Sequence, residues 1–289
     1  MKFTCSLAFS DPSHYVECAR VADACGWDAI VVSDHVVHPK KIETPYPYTE
    51  DGAPRWDAPT PWLDPWVAIG AMAAVTERIR FMTAIYVLPM RNPFVVAKAI
   101  GTAAVLSQDR ITLGIGAGWM EEEFALLEQP FARRGARMDE MVEVLRKLWD
   151  GGMVEHHGEF YDFSKLQMSP AVERPIPIYC GGVSKPAFRR VGRLADGWIS
   201  DLHTTAELTE IIAELRRQRA RYGRADEPLD VVAACSDAAD LDGYRRLEEI
   251  GVTHLQTMPW VFYRHDGSSL EGKLEGLERF AEDVIRKMG

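Results

Sequence analysis

The stretch Ala29-Ile30-Val31-Val32-Ser33-Asp34-His35 decides the architecture. Four consecutive apolar residues, three of them β-branched, fit a strand covered on both faces, whereas a strand with one wet face would alternate. Val231-Val232-Ala233-Ala234 repeats the pattern near the carboxyl end. Outward from these runs, short apolar segments alternate with longer ones of helical period. Strands are expected over Phe3 to Ala8, Ala29 to Ser33, Ile79 to Val87, Ile111 to Ile115, Ile176 to Cys180, Gly197 to Ser200, Leu229 to Ala234 and Thr253 to Met258. Helices are expected over Ser13 to Cys25, Pro65 to Val75, Pro93 to Leu106, Ala136 to Trp149, Lys185 to Leu194, Ala206 to Tyr222, Leu241 to Ile250 and Leu270 to Met288. Eight βα units in 289 residues make an α/β chain with the content of one closed (β/α)8 barrel, a TIM barrel, as a single domain over 1–289. An open doubly wound sheet would carry its glycine-rich turn after the first strand. Here that strand has no GxGxxG, and the glycine-rich stretch Gly114 to Gly118 follows the fourth.

Composition narrows the function. Acidic residues outnumber basic ones 43 to 33, a net charge of −10 that would repel a phosphate backbone. The richest basic stretch, Arg216 to Arg224, has the spacing of a solvated helix face, so nucleic acid is not an expected partner. Five scattered cysteines without a close CxxC pair speak against a disulfide framework and a thiolate zinc site. The eight histidines form no metal-ligand spacing, and His156-His157 would point opposite ways on an extended chain. No leader precedes the first strand and no apolar run approaches the ~20 residues of a membrane span, so a cytoplasmic protein is expected.

Two connections break the rhythm. Asp34 to Asp64 carries six prolines together with Tyr46, Tyr48, Trp56 and Trp62, and it follows a strand, so it lies over the catalytic face of a barrel. A lid or pocket wall and a rigid cover or dimer contact are both open readings. The second, Gly151 to Pro175, contains His157 to Phe163 and reads as a hairpin between the fourth helix and the fifth strand. At strand ends, Asp34 and His35 place a carboxylate beside an imidazole able to move a proton near neutral pH, though a loop hydrogen bond explains the pair equally. The third strand ends in Thr83-Ala84-Ile85, where a flat ring could lie against the backbone. Gly116 and Gly118 permit close approach of a ligand. Gly181-Gly182-Val183 turns directly into a helix, whose free N–H groups suit a phosphate. No GxSxG elbow or P-loop is present, so a bound organic cofactor is the expected source of reactivity.

Taken together, these residues resemble the luciferase-like monooxygenase family, in particular its actinobacterial branch that uses the deazaflavin coenzyme F420. The resemblance rests on Ser33-Asp34-His35, on Leu113 to Trp119 (LGIGAGW) with Glu121-Glu122-Glu123-Phe124, and on Arg134-Gly135-Ala136-Arg137-Met138-Asp139-Glu140. Gly181-Gly182 and Ala195-Asp196-Gly197-Trp198 extend it. It implies a cofactor ring stacked on a bulge of the third strand, with a non-proline cis peptide at Ala84-Ile85. It implies further that Asp34, His35, Thr83, Ala84, Ile85, Gly118 and Glu122 surround the ring, that Gly181, Gly182 and Val183 hold the phosphate, and that His35 is catalytic. Glu122 stands where sugar-phosphate-oxidising relatives carry an amide, and Trp119 where they carry an acid. No basic set for a substrate phosphate is visible near Ser200-Asp201-Leu202, and the chain after Met258 is short for the family's carboxyl-terminal cofactor contacts.

The expected function is therefore hydride transfer between F420 and a small organic substrate by a homodimer joined through early βα helices. The alternative is a two-component monooxygenase that takes reduced FMN from a separate reductase. A non-catalytic flavin-binding protein is the third reading.

Overall fold

The computed structural model describes residues 1–288. Its strands are β1 (Lys2–Ser6), β2 (Ala29–Val32), β3 (Arg80–Thr83), β4 (Tyr86–Val87), β5 (Ile111–Gly116), β6 (Val154–His157), β7 (Asp162–Leu166), β8 (Ile178–Gly181), β9 (Gly197–His203), β10 (Asp230–Cys235) and β11 (His254–Thr257). Strands β1, β2, β3, β5, β8, β9, β10 and β11 pair in parallel in that order. β11 returns to β1, with Lys2 opposite His254 and Cys5 opposite Thr257, and closes the barrel.

The helices that connect or cover the strands are α1 (Tyr15–Cys25), α2 (Pro65–Ala73), α3 (Pro93–Leu106), α4 (Glu121–Leu126), α5 (Arg134–Trp149), α6 (Lys185–Arg193), α7 (Thr205–Arg221), α8 (Leu241–Ile250), α9 (Pro259–Phe262) and α10 (Leu270–Phe280). Their starts follow from local chemistry. Asp64, Asn92, Ser184, Thr204, Asp240 and Ser269 each accept a backbone N–H of the first turn, and proline opens α2 and α3. One large apolar layer fills the space between strands and helices. A smaller one, Val31, Met82, Tyr179, Ile199 and Val232 with Ala84 and Ile85 packed on it, fills the barrel interior.

The structure corrects three sequence expectations. The third strand is not continuous over Ile79 to Val87. It breaks at Ala84-Ile85, a cis peptide bond, and resumes as β4 beside Ile115 and Gly116. The sixth barrel strand runs on past Ser200 to His203, and the last helix is regular only to Phe280 before a wider turn over Ala281–Ile285. The β6–β7 hairpin is present and climbs the outside of α5, where the Glu140 carboxylate accepts the N–H groups of Glu159, Phe160 and Tyr161. No helix among the described residues is long and apolar enough to cross a membrane.

Candidate active site

The break in the third strand is held by residues of β2 and the turn after it. Val32 O accepts Ala84 N–H at 2.8 Å, Ser33 Oγ donates to Ala84 O at 3.0 Å, and Asp34 Oδ2 accepts Val87 N–H at 2.9 Å. On the opposite edge, Thr83 Oγ1 donates to Gly114 O at 2.8 Å and accepts Gly114 N–H at 3.0 Å, replacing the missing ladder bonds. Ile85 then needs room, and two glycines leave it. A Cβ on Gly116 would lie 1.7 Å from Ile85 Cδ1, and one on Gly181 2.9 Å from Ile85 Cγ2. These contacts place Thr83, Ala84 and Ile85 together at the carboxyl end of the barrel, Thr83 fully buried and the other two half-buried.

Asp34 is placed differently from His35. Its buried carboxylate takes both prongs of the Arg91 fork, at 2.7 and 2.8 Å, besides Val87 N–H. Burial pushes the carboxyl upward from its usual range, and the Arg91 guanidinium opposes that push. Asp34 therefore braces β4 from below.

His35 stands free on one side only. Its Nδ1 lies 3.1 Å from Glu123 Oε2, and the other Glu123 oxygen accepts the N–H of Val36 at 2.5 Å and of Val37 at 3.3 Å. Burial acts to raise the Glu123 carboxyl, but the hydrogen bond and charge of His35 and the two N–H groups outweigh it and hold the group below its ordinary value. A carboxylate only accepts, so Nδ1 carries the proton and Nε2 is left for the mouth of the barrel. Glu123 escaped the sequence reading of the site. Within Glu121-Glu122-Glu123 it looked like ordinary acidic decoration of a helix start, and its burial at 1% exposure is the feature that separates it.

Glu122 points elsewhere. Its Oε1 accepts the N–H of Glu43 at 2.6 Å and of Thr44 at 3.0 Å, tying α4 to the long connection, while Oε2 is buried without a hydrogen-bond partner.

The connection 34–64 is a wall of the site. Trp56 and Trp62 bring their rings to 4.7 and 5.3 Å from His35, and Trp119 comes to 6.4 Å from the end of β5. Tyr46 meets Trp56 and Trp119 edge to face at 5.3 and 5.1 Å, and Phe9 meets Trp62 at 5.4 Å. The wall crosses the barrel mouth: Arg55 makes a bidentate pair with Asp201 of β9, both contacts 2.8 Å, and donates to Tyr48 O. β9 lies four places around the barrel from β2, so the connection bridges opposite rims. Arg55 is the basic group that the sequence around Ser200-Asp201-Leu202 did not disclose. It arrives from 146 residues away and is already neutralised.

Beyond the wall, Gly181-Gly182-Val183 leads into α6. Gly182 has φ +102°, its carbonyl accepts Trp198 Nε1–H at 2.9 Å, and Ser184 Oγ accepts Ala187 N–H at 3.3 Å. Val183 is 43% exposed. Among the described residues no protein acceptor takes the N–H of Val183 or Lys185, so the turn offers donors to an anion. Gly118, also in the left-handed region, packs over Val87 and Phe124, and its carbonyl accepts Arg134 Nε–H at 2.9 Å. The Arg134 to Glu140 run is thus a bracket: Arg137 reaches the carbonyls of Pro89 and Pro130, and Asp139 pairs with Arg190 and Arg193.

Known proteins are similar to this chain in sequence and in fold. The family model described as luciferase-like monooxygenase matches residues 5–278. An uncharacterized protein of Mycobacterium tuberculosis is 38% identical over 290 residues, covering 100% of each chain. A protein of Nakamurella multipartita named F420-dependent glucose-6-phosphate dehydrogenase is 31% identical over 243 residues, 82% of this chain and 67% of the relative. Among solved structures, the coenzyme F420-dependent tetrahydromethanopterin reductase of Methanopyrus kandleri superposes with a TM-score of 0.75 at 14% identity, over 100% of this chain and 99% of that one.

Proposed function

The chain belongs to the luciferase-like monooxygenase family, an oxidoreductase family, and from that premise we propose that it transfers a hydride between coenzyme F420 and a small organic substrate. The observation that carries the reading is His35, fixed through Nδ1 by Glu123 with Nε2 open, on the same barrel end as the Ala84-Ile85 break and the Gly181-Gly182 turn. The relative named for F420 dependence supports the choice of coenzyme.

The residues fit such a group. The open N–H groups at Val183 and Lys185 suit its phosphate, and the half-buried Ala84-Ile85 segment, backed by Gly116 and Gly181, offers a flat support for its ring. F420 supplies two-electron hydride chemistry when bound. The chain handles the proton: His35 Nε2 accepts it from a substrate hydroxyl as the carbon bearing that hydroxyl gives up hydride, and returns it in the reverse direction. Glu123 keeps the imidazole in the required tautomer and steadies its positive charge. Trp56, Trp62 and Trp119 keep bulk water from the reacting atoms.

The working unit is a homodimer. Helices α2 and α3 are apolar nearly all round, and Val67, Val95 and Leu106 on their outer faces are 74%, 69% and 67% exposed, as expected of helices covered by a second copy.

The test is coenzyme turnover. F420 mixed with wild-type protein and a panel of alcohols and ketones is expected to exchange between its oxidised and reduced spectra, and His35→Ala is expected to abolish most of the rate while still binding F420. Equal rates in the two proteins would overturn the assignment.

A further inference from the structure

We propose that the groove between α6 and α7 is a binding site for a small molecule carrying a short chain of phosphate groups, held by the side chains of Lys185, Arg189 and Arg221. Neither His35 nor the aromatic wall lines this groove, and the proposal does not rest on the reaction given above. Lys185 alone is shared with the glycine turn, which uses its backbone N–H and not its ammonium group.

The basic side chains of α6 and of the stretch Arg216 to Arg224 fall into two groups. Most are committed within the fold. Asp139 pairs with Arg190 and Arg193, Glu214 with Arg217, and Glu227 with Arg224. Arg216 donates to Ile250 O, and buried Arg219 donates to the carbonyls of Ala195 and Pro228. Lys185, Arg189 and Arg221 are left over: all three are exposed, and among the described residues none of them has an acidic partner or an acceptor. A basic stretch that reads as a solvated helix face therefore holds one arginine that the fold does not use.

These three cations line one groove of about 380 Å³, completed by Phe188, Glu214 and Gln218. Glu214 does not cancel them, because Arg217 pairs with it at 2.7 Å and Gln218 Nε2 donates to it at 2.7 Å. Glu210, one turn nearer the start of α7, does not line the groove. Phe188 is half-buried against the core and gives the groove an apolar side. Uncancelled charge of one sign beside a low-dielectric wall concentrates the field and draws in anions, here on a chain whose net charge is −10. Lys185 and Arg189 are four residues apart on α6, about 6 Å along its axis, where like charges repel each other unless an anion lies between them. Ammonium and guanidinium groups on two helices match several phosphate oxygens better than one monoanion. A long nucleic acid would run on to the acidic remainder of the surface, and a cation finds no uncommitted acceptor in the groove.

The test is calorimetric titration of the full chain with tripolyphosphate at about 0.15 M salt, where unshaped surface attraction is largely screened. Saturable binding of one tripolyphosphate per chain is expected, tighter than orthophosphate by about tenfold or more, with no binding of spermidine. Arg189→Gln with Arg221→Gln should weaken tripolyphosphate about tenfold or more, since two charge-assisted contacts are lost. Both side chains are exposed, so the melting temperature should stay at the wild-type value. Arg20→Gln with Arg245→Gln removes the same charge from exposed positions outside the groove and should leave the affinity unchanged. An ATP arm tells the two sources of such a chain apart: ATP displacing tripolyphosphate supports one carried on a nucleoside, and its failure to do so supports a free one. No saturable tripolyphosphate binding, or an equal loss in the two double variants, would overturn the proposal. So would an undiminished affinity in Arg189→Gln with Arg221→Gln, which would move the anion to the glycine turn.

Discussion

At the scale of single residues, the account turns on the pair His35 and Glu123, 88 positions apart in sequence. His35→Ala is expected to lower kcat and kcat/KM together by roughly 10²–10⁴-fold, the range for acid–base groups, with F420 affinity little changed. A proportionate loss of coenzyme binding would make the histidine a packing residue. Glu123→Gln separates position from charge. The amide oxygen can still accept from Val36 and Val37, which turns the amide N–H toward His35 and forces the imidazole to put its proton on Nε2. Nitrogen-15 NMR of His35 should show the Nδ1–H form in the wild type and the Nε2–H form in the variant. The same form in both would contradict the assignment. Because Glu123 is held below its ordinary value, its contribution to stability is complete above the ordinary carboxylate range and is lost as pH falls through the folded value, so Glu123→Gln should flatten the acid limb of the stability curve. His35 was legible in the sequence because it closes a strand. Glu123 was not, since its role depends on a side chain arriving from another βα unit.

At the scale of elements, the broken third strand shows what periodicity misses. Arg80 to Val87 reads as one buried strand because all its side chains suit one. What ends the ladder is a set of distant polar partners, Ser33, Asp34 and Thr83 against Gly114, together with space left by Gly116. Gly116→Ala should cost about 1–3 kcal/mol through overpacking against Ile85 Cδ1. Ile85→Val removes that methyl, so the double variant should recover most of the loss; simple additivity in denaturant titrations would show that the clash is not the cause. At the other end of the barrel, His254 opens β11 and is pushed down to about 4, mainly by burial. A histidine neutral in the fold and protonated when unfolded contributes stability above its ordinary value, and that stability is lost as pH falls from about 6.5 toward 4. The melting temperature should fall across that window, less so in His254→Gln; identical profiles would exclude His254 as the cause.

At the scale of the whole molecule, eight βα units, the closed parallel barrel and the hairpin excursion were legible, because buried parallel strands and amphipathic helices leave strong periodic traces. The path of residues 34–64 was not. Its prolines and aromatics marked it as unusual, but only folding brings Trp56 and Trp62 to His35 and Arg55 to Asp201. The apolar faces of α2 and α3 lead to a further expectation, that Val67→Glu with Val95→Glu shifts the protein from dimer to monomer in sedimentation, while a wild-type monomer at micromolar concentration would contradict the dimer. The central claim concerns the coenzyme, and one measurement reaches it without knowledge of the substrate: equilibrium titration of the purified protein with F420 and, in parallel, with FMN. The account predicts saturable binding of one F420 per chain, markedly tighter than FMN. Tighter binding of FMN, or no saturable binding of F420, would contradict it.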